Sequence, residues 1–228
     1  LIMNLIYKLV KSNSFLFKMV YYLRLLAFPL FIRLTWRINN TIENNALYSS
    51  IDKDIRGGNN YIKIGIKSRI YGLKIYVRGK NNKVIIGNNC VIGKKCSFWI
   101  EGDNNTIIVG DSCTFTHTVH LCAQEYGSSI NLGEDCMLSN NIIIRTSDSH
   151  PIFNSDRERI NEAKTVWIAK HVWIAPQTTV MKGVTIGEGA ILASNSVITK
   201  DVPKNCLAAG IPAKVVKENI YWSRERLF

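Results

Sequence analysis

Histidine and cysteine are the side chains in this sequence best suited to chemistry near neutral pH. The chain has four histidines and six cysteines. Histidine can act as a general base or bind a metal ion, and a cysteine thiolate can be a nucleophile or a metal ligand. What these residues can do depends on the elements that position them.

One histidine stands in a polar segment that differs from the sequence around it. Residues 145 to 161 are rich in charged and hydroxyl side chains and include Asp148-Ser149-His150-Pro151. Because a proline disfavours the helical conformation in the residue before it, we expect an extended backbone at His150. Functional side chains concentrate on loops held by rigid scaffolds, so this segment is a candidate site. The alternative is a surface histidine in a charged loop.

The sequence after this segment repeats with a period of six residues. An aliphatic side chain stands at every sixth position, and a small or β-branched residue stands two positions before each. The aliphatic positions are Ile168, Ile174, Val180, Ile186, Leu192 and Ile198. In an α-helix, six steps turn a side chain through about 600°, so these residues would not share one face. The hexad instead predicts short strands joined by corners.

Four of the cysteines fit the same pattern. Cys90, Cys96, Cys113 and Cys136 each precede an apolar hexad position by two residues. We therefore interpret them as compact core residues rather than as zinc ligands or disulfide partners.

A longer repeat encloses the hexads. Asn-Asn doublets are each followed by a short apolar run ending in glycine, at Gly65, Gly87 and Gly110, and a related run ends at Gly133. Three hexads and a short corner excursion account for each unit, which predicts a three-sided coil. A single coil cannot bury its own apolar edge, so we expect the coils to stack around a continuous core.

The aliphatic-Gly-x-x-x-x hexad resembles that of the hexapeptide-repeat acyltransferases, over about residues 58 to 217. The resemblance implies an all-β fold, a left-handed parallel β-helix. We expect a basic, apolar helical segment over residues 1 to 50 and the acyltransferase domain over 51 to 217. A loop would project at 145 to 164, and a short helix or tail would follow over 218 to 228.

The segment around His150, followed by Val172-Trp173-Ile174-Ala175, is similar to the sugar and polysaccharide O-acetyltransferases, including galactoside and maltose acetyltransferases. The resemblance implies that His150 is the general base, which removes a proton from an acceptor hydroxyl as its oxygen attacks the thioester of acetyl-CoA. Asp148, Asp156 or a backbone carbonyl would orient its ring.

Direct transfer is favoured over a covalent enzyme intermediate. Neither Cys122 nor Cys206 has an adjacent histidine or lysine that would activate it as a nucleophile.

The C-terminal coils are similar to the coenzyme A end of this family. Trp173 would flank the thioester or the sugar, and small residues would let the pantetheine arm lie close to the backbone. The expected donor-site residues are Trp173, Ala175, Ala193, Ser194, Thr199, Lys200 and Lys214. The lysines would meet the phosphates, with a solvated surface as the alternative. Ala175 departs from the family, which usually has glycine there.

His117 and His120 are expected contacts of the acceptor, across a groove from His150. A metal site is the competing interpretation, because this fold also supports a carbonic anhydrase with three histidine ligands, and His171 is a fourth candidate. Side chains three positions apart on a strand should point to opposite sides unless a corner intervenes. We therefore expect no metal.

Lys and Arg total 29 against 17 Asp and Glu, a formal net charge of +12, and the basic excess lies in the first hundred residues. Such an excess favours an anionic partner, namely an acidic glycan, a phosphorylated cofactor or a membrane surface. The sequence has no nucleic-acid-binding motif, so a nucleic acid partner is not expected.

Charged residues and a proline interrupt the apolar stretch at residues 15 to 36, which argues against a membrane span. Tyr21, Tyr22 and Arg24 stand where a signal peptide would need small residues for cleavage, which argues against a signal peptide. We expect a cytoplasmic protein whose N-terminal segment either contacts anionic membrane at its inner face or covers the end of the main fold, and the resemblance implies a homotrimer. The predicted activity is O-acetylation of a sugar or polysaccharide of a capsule, O-antigen or related glycan. The alternatives are a sugar N-acetyltransferase, a carbonic-anhydrase-like enzyme and a non-catalytic scaffold.

Overall fold

The structure, a computed structural model, describes residues 39 to 227, which form a parallel β-helix with three faces. The first face is one sheet, and all its neighbouring strands pair in parallel. Its strands are β1 (Thr41–Asn44), β3 (Tyr61–Ile64), β5 (Lys83–Ile86), β8 (Thr106–Val109), β10 (Ser129–Leu132), β12 (Val166–Ile168) and β15 (Thr185–Ile186).

The second and third faces share long strands that turn a corner. These are β2 (Tyr48–Arg56), β4 (Arg69–Arg78), β9 (Thr114–Gln124) and β11 (Met137–Arg145). In the other coils the two faces have separate strands. The second face has β6 (Val91–Ile92), β13 (Trp173–Ile174), β16 (Ile191–Leu192) and β18 (Leu207–Gly210), and the third has β7 (Cys96–Glu101), β14 (Thr179–Val180) and β17 (Val197–Ile198). A final strand, β19 (Ala213–Lys217), pairs antiparallel with β18.

The hexad positions form the core, as the sequence predicts. All six aliphatic residues of the C-terminal hexads are at most 2% exposed, and so are the small residues two positions before them. Each buried aliphatic side chain contributes about 1.5–3 kcal/mol through removal of its apolar surface from water. The predicted parallel β-helix is confirmed.

The cysteines at the small hexad positions are buried and unpaired. The thiols of Cys90, Cys113 and Cys136 each lie 3.1 to 3.2 Å from a carbonyl oxygen of the next coil. Their interpretation as core residues is confirmed.

The Asn-Asn doublets form one corner of the helix, and the two asparagines have different tasks. The first of each pair takes a left-handed backbone, with φ of 57° at Asn59 and Asn81. The second points inward: the Asn60 side-chain oxygen accepts the Asn82 N–H at 2.9 Å, and the Asn82 oxygen accepts the Asn105 N–H at 2.8 Å. This ladder satisfies backbone donors that the corner would otherwise leave buried and unpaired.

The glycines that end each long repeat lie where successive coils approach closely. A Cβ atom on Gly110 would lie 2.5 Å from the backbone carbon of Gly133, and one on Gly65 would lie 2.6 Å from that of Gly87. Any larger residue would push the coils apart at this corner.

The ends of the chain differ in what the structure describes. Most of the segment expected over residues 1 to 50 lies outside the described residues, but β1 and the start of β2 fall within it. Residues 218 to 227 follow the last strand without forming a helix. Within the described part of the chain, no helix has the length and hydrophobicity needed to cross a membrane.

Candidate active site

The loop that carries His150 leaves the corner after β11 and returns to the first face at β12. Glu125, in the coil below, anchors both of its ends. The Glu125 carboxylate accepts hydrogen bonds from Ser147 Oγ at 2.6 Å and Arg159 Nη2 at 2.7 Å. The Arg159 guanidinium lowers the pKa of Glu125 below its usual range, so this anchor carries a negative charge at neutral pH.

Asn161 fixes the backbone around His150. Its side-chain Nδ2 donates to the His150 carbonyl oxygen and to Asp148 Oδ2, both at 2.9 Å, and its Oδ1 accepts the Ile152 N–H at 2.7 Å. Lys182 completes the arrangement, because its Nζ donates to Asp148 Oδ2 at 2.6 Å and to the Asn161 carbonyl oxygen at 2.7 Å. The three side chains hold the loop at one corner of the β-helix.

The imidazole of His150 is exposed, and no group among residues 39 to 227 hydrogen-bonds to its ring. Asp148, which the sequence analysis considered as an orienting carboxylate, instead binds Lys182 and Asn161. The Lys182 ammonium lowers the pKa of Asp148. Asp156 lies at the exposed tip of the loop, where its N–H binds Asn154. Neither carboxylate therefore hydrogen-bonds to the His150 ring.

The corner that the sequence analysis allowed for separates His117 from His120. Thr118 between them has a φ of 54°, so β9 turns there and both rings point outward on different faces. His117 is exposed and its Nδ1 lies 3.1 Å from Thr118 Oγ1. His120 is half-buried on the third face, where its Nδ1 lies 2.7 Å from Ser97 Oγ. Burial lowers the pKa of His120, and the charge of Arg145 lowers it further.

The expected donor-site residues are spread over several parts of the surface. Trp173 lies half-buried on the second face, 6.0 Å from the ring of Trp222, and its Nε1 is buried with no hydrogen-bond partner among the described residues. Ala175 and Ala193 occupy equivalent positions in adjacent coils, just after the second face. Thr199 and Lys200 are exposed after the third face, Ser194 is exposed at a corner, and Lys214 is exposed on β19.

One chain does not bring His150 and Trp173 onto the same surface. The His150 loop leaves the corner between the third and first faces, whereas Trp173 points outward from the second face. His120 and Arg145 lie on the third face, on the same side as the His150 loop.

His171 belongs to a separate cluster with the C-terminal tail. Its ring stacks on Trp222 at 4.1 Å, and its Nδ1 lies 2.6 Å from Asp135 Oδ2. Arg224 Nε donates to the other oxygen of Asp135 at 2.6 Å. The histidines therefore have separate surroundings, and no three His, Cys, Asp or Glu side chains in the described residues converge as metal ligands would.

Sequence reasoning missed Asn161, Lys182 and Arg145. Asn161 and Arg145 belong to the segment without a repeat, so no periodicity indicated their partners. Lys182 could have been found, because it stands eighteen residues before Lys200, at the same corner one coil earlier.

Two family models match the repeat regions. The model described as bacterial transferase hexapeptide (six repeats) matches residues 165–200, and that described as hexapeptide repeat of succinyl-transferase matches 83–115. A curated polysialic acid O-acetyltransferase from Escherichia coli O1:K1 / APEC is 46% identical over 89 residues, which is 39% of this chain. The match spans 29% of that relative's length.

Two solved structures resemble the chain over most of its length. The polysialic acid O-acetyltransferase OatWY is 32% identical with a TM-score of 0.77, covering 83% of this chain and 90% of that one. The polySia-specific acetyltransferase NeuO is 29% identical with a TM-score of 0.62, covering 82% and 83%. With its repeats and core, this similarity assigns the chain to the hexapeptide-repeat acyltransferases, in the branch of the sugar and polysaccharide O-acetyltransferases.

Proposed function

We propose that this protein transfers an acetyl group from acetyl-CoA to a hydroxyl group of a capsular polysaccharide, and that the polysaccharide is polysialic acid or a related acidic glycan. The observation that carries the proposal is the 32% identity with OatWY over 90% of that structure. The net charge of +12 supports an acidic glycan rather than a neutral one.

In the proposed reaction, the exposed ring of His150 removes the proton from an acceptor hydroxyl. The oxygen attacks the thioester carbonyl, the carbon–sulfur bond breaks, and the coenzyme A sulfur leaves with the proton that His150 held. An imidazole is suited to both transfers because its usual pKa lies near neutral pH. Asn161 supports this role, since it fixes the backbone of His150 and leaves the ring free.

For the donor, we propose the small residues Ala175 and Ala193 as the path of the pantetheine arm, with Ser194 beside it. Both alanines lie at one corner in adjacent coils. Ala175 is buried and Ala193 half-buried, and their short side chains would let the arm lie close to the backbone. Thr199, Lys200 and Lys214 are exposed and would meet the phosphates. Trp173 would lie against the thioester or the acceptor sugar.

Because His150 and Trp173 lie on different surfaces of one chain, we propose that each site forms between adjacent subunits of a homotrimer. We also propose that the protein is located in the cytoplasm, where acetyl-CoA is made. Its basic N-terminal segment would contact anionic membrane.

The test is acetyl transfer from acetyl-CoA to polysialic acid by wild type and by His150→Ala. We expect a fall in kcat of at least about 100-fold for the variant, within the range contributed by a general base. Ser155→Ala, at an exposed position of the same loop, is the matched control and should keep wild-type activity.

A hexosamine acceptor in parallel separates O-acetylation from N-acetylation. Wild-type transfer to the amine of the hexosamine, with none to polysialic acid, would overturn the proposed acceptor. Unchanged turnover in His150→Ala would remove this histidine from the mechanism.

A further inference from the structure

A row of outward side chains on the third face leads from the His150 loop toward the N-terminal coils. Tyr76, Trp99, Cys122 and Arg145 are successive register partners on adjacent strands. Strands in a sheet lie about 4.8 Å apart, so the row from Tyr76 to Arg145 is about 14 Å long. We call Tyr76, Trp99 and Arg145 the aromatic strip.

The two aromatic rings form a fixed platform. Tyr76 and Trp99 stack with ring centroids 3.6 Å apart and an angle of 15° between their planes. The Arg78 guanidinium lies 3.7 Å from the Tyr76 centroid and is itself held by Asp54 at 2.6 Å. Both rings remain partly exposed. The core does not require this arrangement, because Ile75 and Phe98, the neighbours that point inward, fill the interior.

The other end of the strip has a cation, Arg145, whose charge acts on Asp148 but which forms no ion pair among the described residues. Arg145 Nη2 donates to Ser149 Oγ at 3.0 Å, which places the guanidinium next to the residue that precedes His150. Arg145 Nε is buried without a hydrogen-bond partner among residues 39 to 227, and none of their carboxylates lies within 4.0 Å of the guanidinium. The exposed part of the guanidinium can still donate charge-assisted hydrogen bonds, so an anionic ligand that met it would be favoured.

The acidic groups near the strip have partners of their own, and Asp148 is held by Lys182. Asp54 is paired with Arg78, and Glu101 accepts a hydrogen bond from Gln124 Nε2 at 2.7 Å. Beside the strip, Ser97 and His120 add hydrogen-bonding groups. The surface thus combines flat apolar rings, polar side chains and one positive charge, which suits a chain of acidic sugars.

We propose that the aromatic strip is an extended acceptor subsite, which holds sugar units of an acidic polysaccharide beyond the unit being acetylated. Trp99 would pack against sugar rings, while Tyr76, whose two faces contact Trp99 and Arg78, supports the indole from behind. Arg145 would bind a carboxylate close to His150. This inference rests on the proposed function. Such a subsite would make the enzyme prefer a long acceptor to a short one.

The test compares polysialic acid with a sialic acid dimer as acceptors for wild type and Trp99→Ala. We expect the KM for polysialic acid to rise about tenfold, a change of the size that aromatic contacts provide, while kcat and the KM for the dimer stay within about twofold. Trp99→Phe keeps an aromatic ring and should recover most of the affinity. Tyr71→Ala removes an exposed aromatic ring from the same strand as Tyr76, but on the second face, and should change neither KM.

Direct binding of polysialic acid to wild type and Trp99→Ala, measured by calorimetry, gives a readout that does not require turnover. If wild type binds the polymer and transfers acetyl to neither acceptor, the proposed function fails while the subsite stands. Equal losses for both acceptors, equal binding by both proteins, or a changed oligomeric state in Trp99→Ala would each overturn the subsite.

Discussion

At the scale of single residues, the amide of Asn161 determines where His150 stands. It is the one side chain in the described loop that binds the His150 backbone, and it also joins Asp148 to Ile152. Because this amide is 7% exposed, removing it would leave its partners poorly satisfied.

We expect Asn161→Ala to lower kcat about tenfold while the KM for acetyl-CoA changes little, because the base is displaced and the donor site is untouched. Steady-state kinetics with polysialic acid would measure both constants. Asn154→Ala is the matched control. The Asn154 side chain also hydrogen-bonds to loop backbone, since it accepts the N–H groups of Asp156 and Glu158, but it lies at the exposed tip. A wild-type kcat in Asn161→Ala, or an equal loss in Asn154→Ala, would contradict the positioning role.

At the scale of the elements, the stacking of the coils makes the six cysteines poor candidates for nucleophiles. All six are buried and unpaired. Burial raises the pKa of Cys90 and of Cys122 to about 11, so their thiolates form only in strongly alkaline solution. The thiolate is the form that reacts with alkylating and disulfide reagents.

We therefore expect native protein at about pH 8 to resist a thiol reagent such as dithiobis-nitrobenzoate, because all six thiols are buried and the pKa values of Cys90 and Cys122 lie well above that pH. Denatured protein should release one equivalent of thionitrobenzoate for each of the six thiols. The absorbance of released thionitrobenzoate measures the reaction. Rapid labelling of any thiol in the folded protein would show that its coil opens readily, and would weaken the interpretation of the cysteines as core residues.

The same coils show how far the sequence could predict the structure. The hexad specified the inward side chains from Ile168 to Ile198, because each repeat imposes the same register on its neighbour. The Asn-Asn doublets likewise marked a corner, although their division into a left-handed residue and a ladder residue needed coordinates. His150 could be identified from its family resemblance, since the segment that carries it is recognisable without knowledge of its contacts.

Contacts outside the repeat could not be predicted in this way. Arg224 reaches Asp135 across 89 residues of sequence, and the partners of Arg145 and Asn161 depend on how one irregular loop folds against a regular corner. Each such contact occurs only once among the described residues, so no periodic pattern in the sequence predicts it. The contacts of Trp222 with His171 and Trp173 are further examples that the repeat does not predict.

At the scale of the whole molecule, the triangular cross-section separates the two residues that the proposed reaction requires together. A side chain on the second face points away from the opposite corner, where the His150 loop begins. If one site needs both His150 and Trp173, the second must come from a neighbouring chain. Closed symmetric assembly then gives every subunit the same pair of surfaces, one for each half of a site.

This arrangement predicts that two inactive variants restore each other. His150→Ala and Trp173→Ala should each be nearly inactive alone, but co-expressed chains should form mixed trimers in which some interfaces pair an intact His150 with an intact Trp173. Acetyl transfer to polysialic acid by the purified mixture measures the recovery, and sedimentation measures the oligomeric state. If every site lay within one chain, each site in the mixture would lack either His150 or Trp173. The mixture would then be as inactive as its components, because forming mixed trimers could not bring both side chains into one site.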